Sequence, residues 1–293
     1  MLSILIPTYN YDASALLLEL VKQISEIKEE IEVLLCDDYS ERLLVDPTEF
    51  SAFPYIQFHR NASNLGRTAT RQLLANKARY ERLLFMDADV FPVRDDFLSV
   101  VMTEAYRSEV LFGGIAYTLE PPDAASILRW KYGHKREAIS LDDRTKKPFS
   151  SINSGCFCIK RRLFLQLNQR MDRPNYGMDI YFKQLLRESG ADVLHNDNPV
   201  YHLGLEDARS FIDKSLQSVA TTVSLEEQGL LEGDSRPLQK GYNNLKRLGL
   251  IGLFSWAMER LGPTLLSNFR SKRPNLFWFD LYRLNHYIEL KRK

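Results

Sequence analysis

Four short strand-like runs in the first ninety residues, Leu2–Ile6, Ile31–Cys36, Tyr55–His59 and Arg82–Met86, each hand the chain to polar or acidic residues. Between them lie segments with apolar residues at helical spacing, such as Leu16, Leu17, Leu20, Val21, Ile24 and Ile27, and the helix expected over Arg67–Arg79. Strand and helix therefore alternate. Connected strands of this kind need right-handed crossovers, so the order predicts a mostly parallel central sheet with helices on both faces, a Rossmann-like α/β fold.

The pattern continues with a helix over Asp95–Glu104, strands over Val110–Ala116 and Cys156–Ile159, a helix over Met178–Glu188 and a strand at Val193–Leu194. The stretch from Glu120 to Ser150 is polar, basic and too long for a simple connection, and is expected to form helix and loop over the site. Beyond Asp207 the pattern is helical throughout, with a soft boundary near Gly229–Gly241 where Gly, Pro and charge accumulate. The expected organisation is an α/β domain over residues 1–228 and a basic, aromatic-rich helical C-terminal extension over 229–293.

At 293 residues the chain is long enough to bury a full core, and 26% charged with 44% hydrophobic residues is ordinary globular composition. Three cysteines support neither a disulfide framework nor a four-ligand zinc site, and a reducing cytoplasm is expected. Leu2–Ile6 follows the first residue without a basic leader, and the longest apolar stretch, Leu248–Met258, falls well short of the roughly 20 residues that span a bilayer. The net charge of +1 conceals a clear excess of Lys and Arg from Lys240 onward.

Ligands of open parallel sheets bind outside the carboxyl ends of the strands. Here those ends carry Pro7-Thr8-Tyr9-Asn10, Asp37-Asp38, Arg60-Asn61 and Asp87-Ala88-Asp89, a gathering of acids on one edge. Two aspartates one residue apart, just past an apolar strand, can direct a carboxylate at a hard divalent cation that bridges diphosphate oxygens. An isolated Asp-x-Asp is more often a solvated turn or helix cap; its place after Leu83-Leu84-Phe85-Met86 reverses that preference. Asp37 is well placed for base or ribose recognition.

These residues resemble the inverting glycosyltransferases of family 2, whose nucleotide-binding fold is the GT-A type. The resemblance runs from about Leu2 to His202. Ser3–Asn10 is similar to the family's opening strand and nucleobase loop, Val33–Ser40 to its second strand and uridine-binding carboxylate, Asn64–Arg71 to the segment flanking the donor, and Phe85–Asp89 to its metal motif. It implies a nucleotide-sugar donor, of the UDP series, held by Pro7, Thr8, Tyr9, Asp37, Asn64, Gly66, Arg71, Asp87, Ala88 and Asp89. Asn153, Ser154 and Gly155 are implied near donor sugar and acceptor, and Asp179 as catalytic base. A divalent metal, Mn or Mg, is implied at Asp89 and His202. Where the family usually reads Glu-Asp, this chain has Met178-Asp179, which removes the first carboxylate and keeps the second. The Gln-x-x-Arg-Trp signature of processive synthases is absent, so single addition to a carbohydrate or lipid-linked acceptor is implied, in surface polysaccharide or glycoconjugate assembly.

From Lys240 the chain mixes Leu248, Ile251, Phe254, Trp256, Phe277, Trp278 and Phe279 with basic residues, which suits packing on the domain, self-association or contact with the cytoplasmic face of an anionic membrane. The basic residues accompany no nucleic-acid module, so no nucleic-acid partner is expected. Two rivals remain: a catalytically inactive nucleotide-binding or interaction protein on the same fold, and a sugar nucleotidyltransferase, which should carry a Gly-rich basic loop where Pro7–Asn10 stands.

Overall fold

The computed structural model describes residues 1–171, 176–231 and 236–292. Part of the soft boundary at 229–241 lies outside the described residues. The chain divides into two compact units: Met1–Tyr117, Glu137–Pro174 and Leu185–Gly204 form the first, and Thr118–Arg136, Asn175–Gln184 and Leu205–Lys293 the second.

The first unit is built on a seven-stranded sheet, and its strands in chain order are β1 (Leu2–Thr8), β2 (Ile31–Asp37), β3 (Ile56–Arg60), β4 (Arg82–Met86), β5 (Val90–Pro92), β6 (Val110–Phe112), β7 (Ile115–Ala116), β8 (Cys156–Lys160), β9 (Val193–His195) and β10 (Val200–His202). Seven of them align as β3-β2-β1-β4-β8-β6-β9, while β5, β10 and β7 make a small second sheet. β1, β2, β3 and β4 run parallel, and β8 is antiparallel to both β4 and β6. The mostly parallel α/β fold and the helical C-terminal region are as the pattern implied. β3 lies one residue further along than the apolar run suggested.

β1, β2 and β4 are buried along almost their whole length, as strands with helices on both faces must be. Phe85 of β4 has its ring 5.1 Å from Phe157 of β8 and 4.3 Å from Phe164 of the helix Arg161–Asn168. In-register pairing sets Thr8 beside Asp37 and Asp37 beside Arg60, so the strand ends form a common edge. The antiparallel direction of β8 pairs Cys156 with Met86, which brings the preceding Asn153-Ser154-Gly155 to that same edge.

Val110–Ala116, expected as one strand, is two. The chain leaves the large sheet after Phe112 and joins the small one at Ile115, with the turn made at Gly113-Gly114. Gly114 has φ +102°, and a Cβ on Gly113 would lie 2.1 Å from the Asn198 carbonyl oxygen. Only glycine passes there. Apolar periodicity does not register such a switch, because both halves remain apolar.

The buried Arg144, on the helix Leu141–Lys146, secures this switch. Its guanidinium donates to the carbonyls of Phe112, Gly113 and Asn196 at 3.2, 3.3 and 2.9 Å and to Ile139 at 3.1 Å. It also donates to Nδ1 of His195 at 3.2 Å, which leaves the proton on Nε2 to bond the Pro148 carbonyl at 2.9 Å. The stretch from Glu120 to Ser150 is helical at Ile127–Arg136 and Leu141–Lys146, as expected for helix and loop; its two helices belong to different units.

The second unit is helical, with Ala208–Glu227, Pro237–Arg247, Ile251–Phe269 and Leu276–Lys291 as its longest elements. Phe211, Ile212, Met258, Leu265, Phe269 and Phe279 form its core with Leu128. No helix among the described residues is long and apolar enough to cross a membrane.

Burial, with the adjacent Arg144, pushes the His195 imidazole below its usual value of 6.5. The unfolded chain then takes up a proton that the folded one refuses, so this contribution to stability is whole above 6.5 and falls as pH drops below it. Urea midpoints at about pH 7.5 and about pH 5.5 are expected to differ less in His195→Gln than in the wild type.

Candidate active site

The turn after β1 and the turn after β2 are tied to each other. Asn10 donates its backbone N–H to Ser40 Oγ at 2.8 Å, and Asn10 Oδ1 accepts from the Glu41 N–H at 3.0 Å. Both turns need left-handed backbone, at Asn10 (φ 49°) and Tyr39 (φ 68°). Asparagine tolerates that region, whereas for tyrosine it costs about 1–2 kcal/mol. Tyr39 is left half exposed, with the Arg60 guanidinium 6.0 Å from its ring. A second exposed aromatic, Tyr9, follows the buried Thr8, and Pro7 is half-buried. Two tyrosine rings with open surface therefore flank the acidic pair.

The two carboxylates of that pair do different things. Asp37, buried, accepts from the Ser40 hydroxyl and backbone N–H and pairs with Arg60 Nε at 3.1 Å. Asp38, also buried, accepts from Asn61 Nδ2 at 2.7 Å and from the N–H groups of Leu65 and Gly66 at 2.9 and 2.8 Å. Asp38 thus shapes the loop that leads into the helix Arg67–Lys77, with Gly66 at φ +80° as its N-cap and Asn64 exposed beside it.

That helix presents Arg67 and Arg71, one turn apart, to Asp87. Arg71 Nη2 donates to Asp87 Oδ1 at 2.7 Å and to the Ser154 carbonyl at 2.5 Å. Arg67 reaches both Asp87 oxygens, and its Nη2 donates to Ser154 Oγ at 3.0 Å. The Asp87 N–H completes the link by donating to the Gly155 carbonyl at 2.8 Å. Asp87 is thereby neutralised and held, with Asn153 Oδ1 bracing the turn by accepting from the Gly155 N–H at 2.7 Å.

Asp89, beyond the buried Ala88, faces the small sheet. β10 pairs antiparallel with β5, with His202 opposite Val90, and His202 Nε2 lies 3.4 Å from Asp89 Oδ2. Gly204 closes over the pair, since a Cβ there would sit 2.2 Å from Asp89 Oδ2. Burial alone would raise the Asp89 carboxyl, but His202 and Arg67 together outweigh it and hold the group below its ordinary value, as an anion at neutral pH. Among the described residues no cluster of three or more His, Cys, Asp or Glu gathers. The buried Nδ1 of His202 has no hydrogen-bond partner there. One carboxylate and one imidazole, 27% and 18% exposed, suit a divalent cation that takes its other ligands from a phosphate-bearing substrate.

The first unit therefore gathers Thr8, Asp37, Gly66, Arg71, Asp87, Asp89, Ser154, Gly155 and His202 along one edge. Asp179 belongs to the second unit, in the first turn of the helix Asp179–Glu188. The chain enters that turn through Gly177, at φ +90°, where a Cβ would meet Ser218 Oγ at 2.7 Å. Thr221 Oγ1 donates to the Tyr176 carbonyl at 2.7 Å, so the helix Ala208–Glu227 sets the entry. Asp179 is exposed, whereas Met178 is buried.

The model of Glycosyl transferase family 2 matches residues 3–168, more than half of the chain. The chain belongs to this family. The matched stretch takes in β2 through β8 and all of β1 except Leu2, while His202 and Asp179 lie beyond it. Similar solved structures include S. aureus TarS 1–349 in complex with UDP-GlcNAc, at 15% identity and TM-score 0.47, covering 99% of this chain and 90% of that one. The mannosyltransferase PcManGT from Pyrobaculum calidifontis, in complex with GDP-Man and Mn2+, is 14% identical at TM-score 0.49, covering 99% and 85%. The chain spans 39% of a longer TarS structure. No curated protein matches at a significant level.

Sequence reasoning noted Asp38 at a strand end and Arg67 within Asn64–Arg71 without giving either a role of its own, and passed over Gly204. The four-residue spacing of Arg67 and Arg71 was a usable signal for two guanidiniums on one helix face. Gly204 offered none, because its role is to have no side chain.

The two arginines differ in burial, with side chains 8% exposed for Arg71 and 42% for Arg67. Arg71→Met is expected to cost about 1–3 kcal/mol, because the Ser154 carbonyl and one Asp87 oxygen lose a buried donor, and Arg67→Met less than about 1 kcal/mol, measured by urea denaturation.

Proposed function

We propose that the chain is a metal-dependent inverting glycosyltransferase, transferring a hexosyl group from a nucleoside diphosphate donor of the UDP series to an acceptor hydroxyl. The observation that carries this reading is the convergence on one sheet edge of Asp37, the arginine-held Asp87 and the Asp89–His202 pair, in a family 2 chain. Cytoplasmic assembly of a surface polysaccharide or glycoconjugate, on a carbohydrate or lipid-linked acceptor, is the setting that fits.

In this proposal Pro7, Thr8 and Tyr9 border the nucleobase and Asp37 accepts from base or ribose. Asn64, Gly66 and Arg71 flank the donor, and Asn153, Ser154 and Gly155 border the transferred sugar. Asp89 and His202 would hold Mn or Mg, which when bound offsets the charge that develops on the departing diphosphate. Asp179 accepts the proton of the acceptor hydroxyl as its oxygen bonds the anomeric carbon. The bond from that carbon to the diphosphate oxygen breaks on the opposite face, and the configuration inverts.

Isothermal titration is expected to show UDP binding that needs manganese and is lost with chelator or in Asp89→Asn. Binding of GDP instead would change the donor series, and binding of neither would favour an inactive scaffold. Asp179→Asn is expected to keep UDP affinity while the turnover number, read as UDP released per acceptor glycosylated, falls by roughly 100- to 10,000-fold. Near-normal turnover would remove Asp179 from the base role, and formation of pyrophosphate would point to a nucleotidyltransferase.

A further inference from the structure

The corner between the helices Pro237–Arg247 and Ile251–Phe269, within the second unit, has an apolar surface that the unit leaves open. The chain turns there through Leu248-Gly249-Leu250, with Gly249 at φ +70° and the turn closed by Gly249 N–H to the Lys246 carbonyl and Leu250 N–H to the Leu245 carbonyl. The second helix buries Ser255, Met258, Leu265 and Phe269 on its inner side. Its outer side carries Leu253 at 62% and Trp256 at 57% exposure, continuous in sequence with Leu248 at 63% and Leu250 at 41%. Four large apolar side chains on one corner are more than a solvated surface needs.

Cations border this corner. Lys240, Asn243, Asn244 and Arg247 occupy one face of the first helix and line a cavity of about 340 Å³. Lys246 is exposed at the helix end, and Arg260 lies 5.8 Å over the Trp256 ring. Glu259 is the sole acid between residues 236 and 261.

We infer that this corner docks on the surface of an anionic lipid bilayer. Leu248, Leu250, Leu253 and Trp256 enter the boundary between headgroups and acyl chains, and Lys240, Lys246, Arg247 and Arg260 meet lipid phosphates, the Lys240–Arg247 cavity taking a headgroup. Aromatic and leucine side chains rimmed by Lys and Arg match the two attractions that hold a monotopic helix at such a surface, apolar burial and charge. A second copy docking by the same patch would bring two patches of the same sign together, because an isologous contact uses one patch on both subunits. The inference is independent of the donor chemistry, since none of these residues belongs to the proposed donor site.

The test is co-sedimentation of the full chain with vesicles of phosphatidylcholine alone and of phosphatidylcholine with phosphatidylglycerol, at low and high salt. Binding to the phosphatidylglycerol vesicles, weakened by salt and accompanied by a blue shift of tryptophan emission absent from Trp256→Phe, is the expected result. Each basic residue near the surface is worth roughly fivefold in partitioning, so Lys240→Glu with Arg247→Glu should weaken it by at least about 30-fold. Leu253→Ser with Trp256→Ser should abolish it at high salt. The four positions are solvent-exposed, and unchanged thermal melting and nucleotide titration would show that fold and donor site persist. Failure of the wild type to sediment, equal sedimentation of wild type and both double variants, or a dimer in ultracentrifugation that Trp256→Ser disperses without vesicle binding would each overturn the inference.

Discussion

The site edge of the first unit depends on the bond set centred on Asp87. Its carboxylate and backbone join the end of β4, the helix Arg67–Lys77 and the turn before β8, elements far apart in the chain. A buried guanidinium such as that of Arg71 is stable only while its acceptors are complete. With Arg71 nearly buried and spanning Asp87 and the Ser154 carbonyl, the turn Asn153-Ser154-Gly155 is held against the end of β4. Asp87 is used up in this work, whereas Asp89 meets His202 at 3.4 Å and keeps 27% of its side chain exposed.

A second constraint lies in the small sheet. Asp89 meets His202 because β10 pairs with β5, and β10 is in place because β7 pairs with it after the chain crosses from one sheet to the other at Gly113-Gly114. Arg144 holds that crossing with bonds to backbone carbonyls, and burial lowers its tendency to keep a proton by more than the charge of Asp197 restores. Carbonyl dipoles supply the compensation. The pairing of a carboxylate with an imidazole at the site thus rests on a glycine switch and a buried arginine that touch neither of them.

In the second unit, the helix Ala208–Glu227 both builds the core and sets a neighbouring turn. Its inner face builds the aromatic cluster of Phe211, Phe269 and Phe279, and its Ser218 and Thr221 shape the turn that starts the helix of Asp179. Close packing makes that turn a glycine turn.

The amino-acid sequence by itself determined the alternation of strands and helices, the acidic strand ends and the family, because each is written in local periodicity and in motifs a few residues long. Asp37, Asp87 and Asp89 could be singled out in this way, and the helical C-terminal region with them. The tertiary structure alone decided the antiparallel insertion of β8, the division of Val110–Ala116 between two sheets, the separate tasks of Asp37 and Asp38, and the placing of His202 beside Asp89. These are pairings across long separations, as with Arg67 and Ser154, 87 residues apart. Local patterning sets which face of an element is apolar; which partner covers that face, and which polar groups then meet at its end, follows from packing the whole chain.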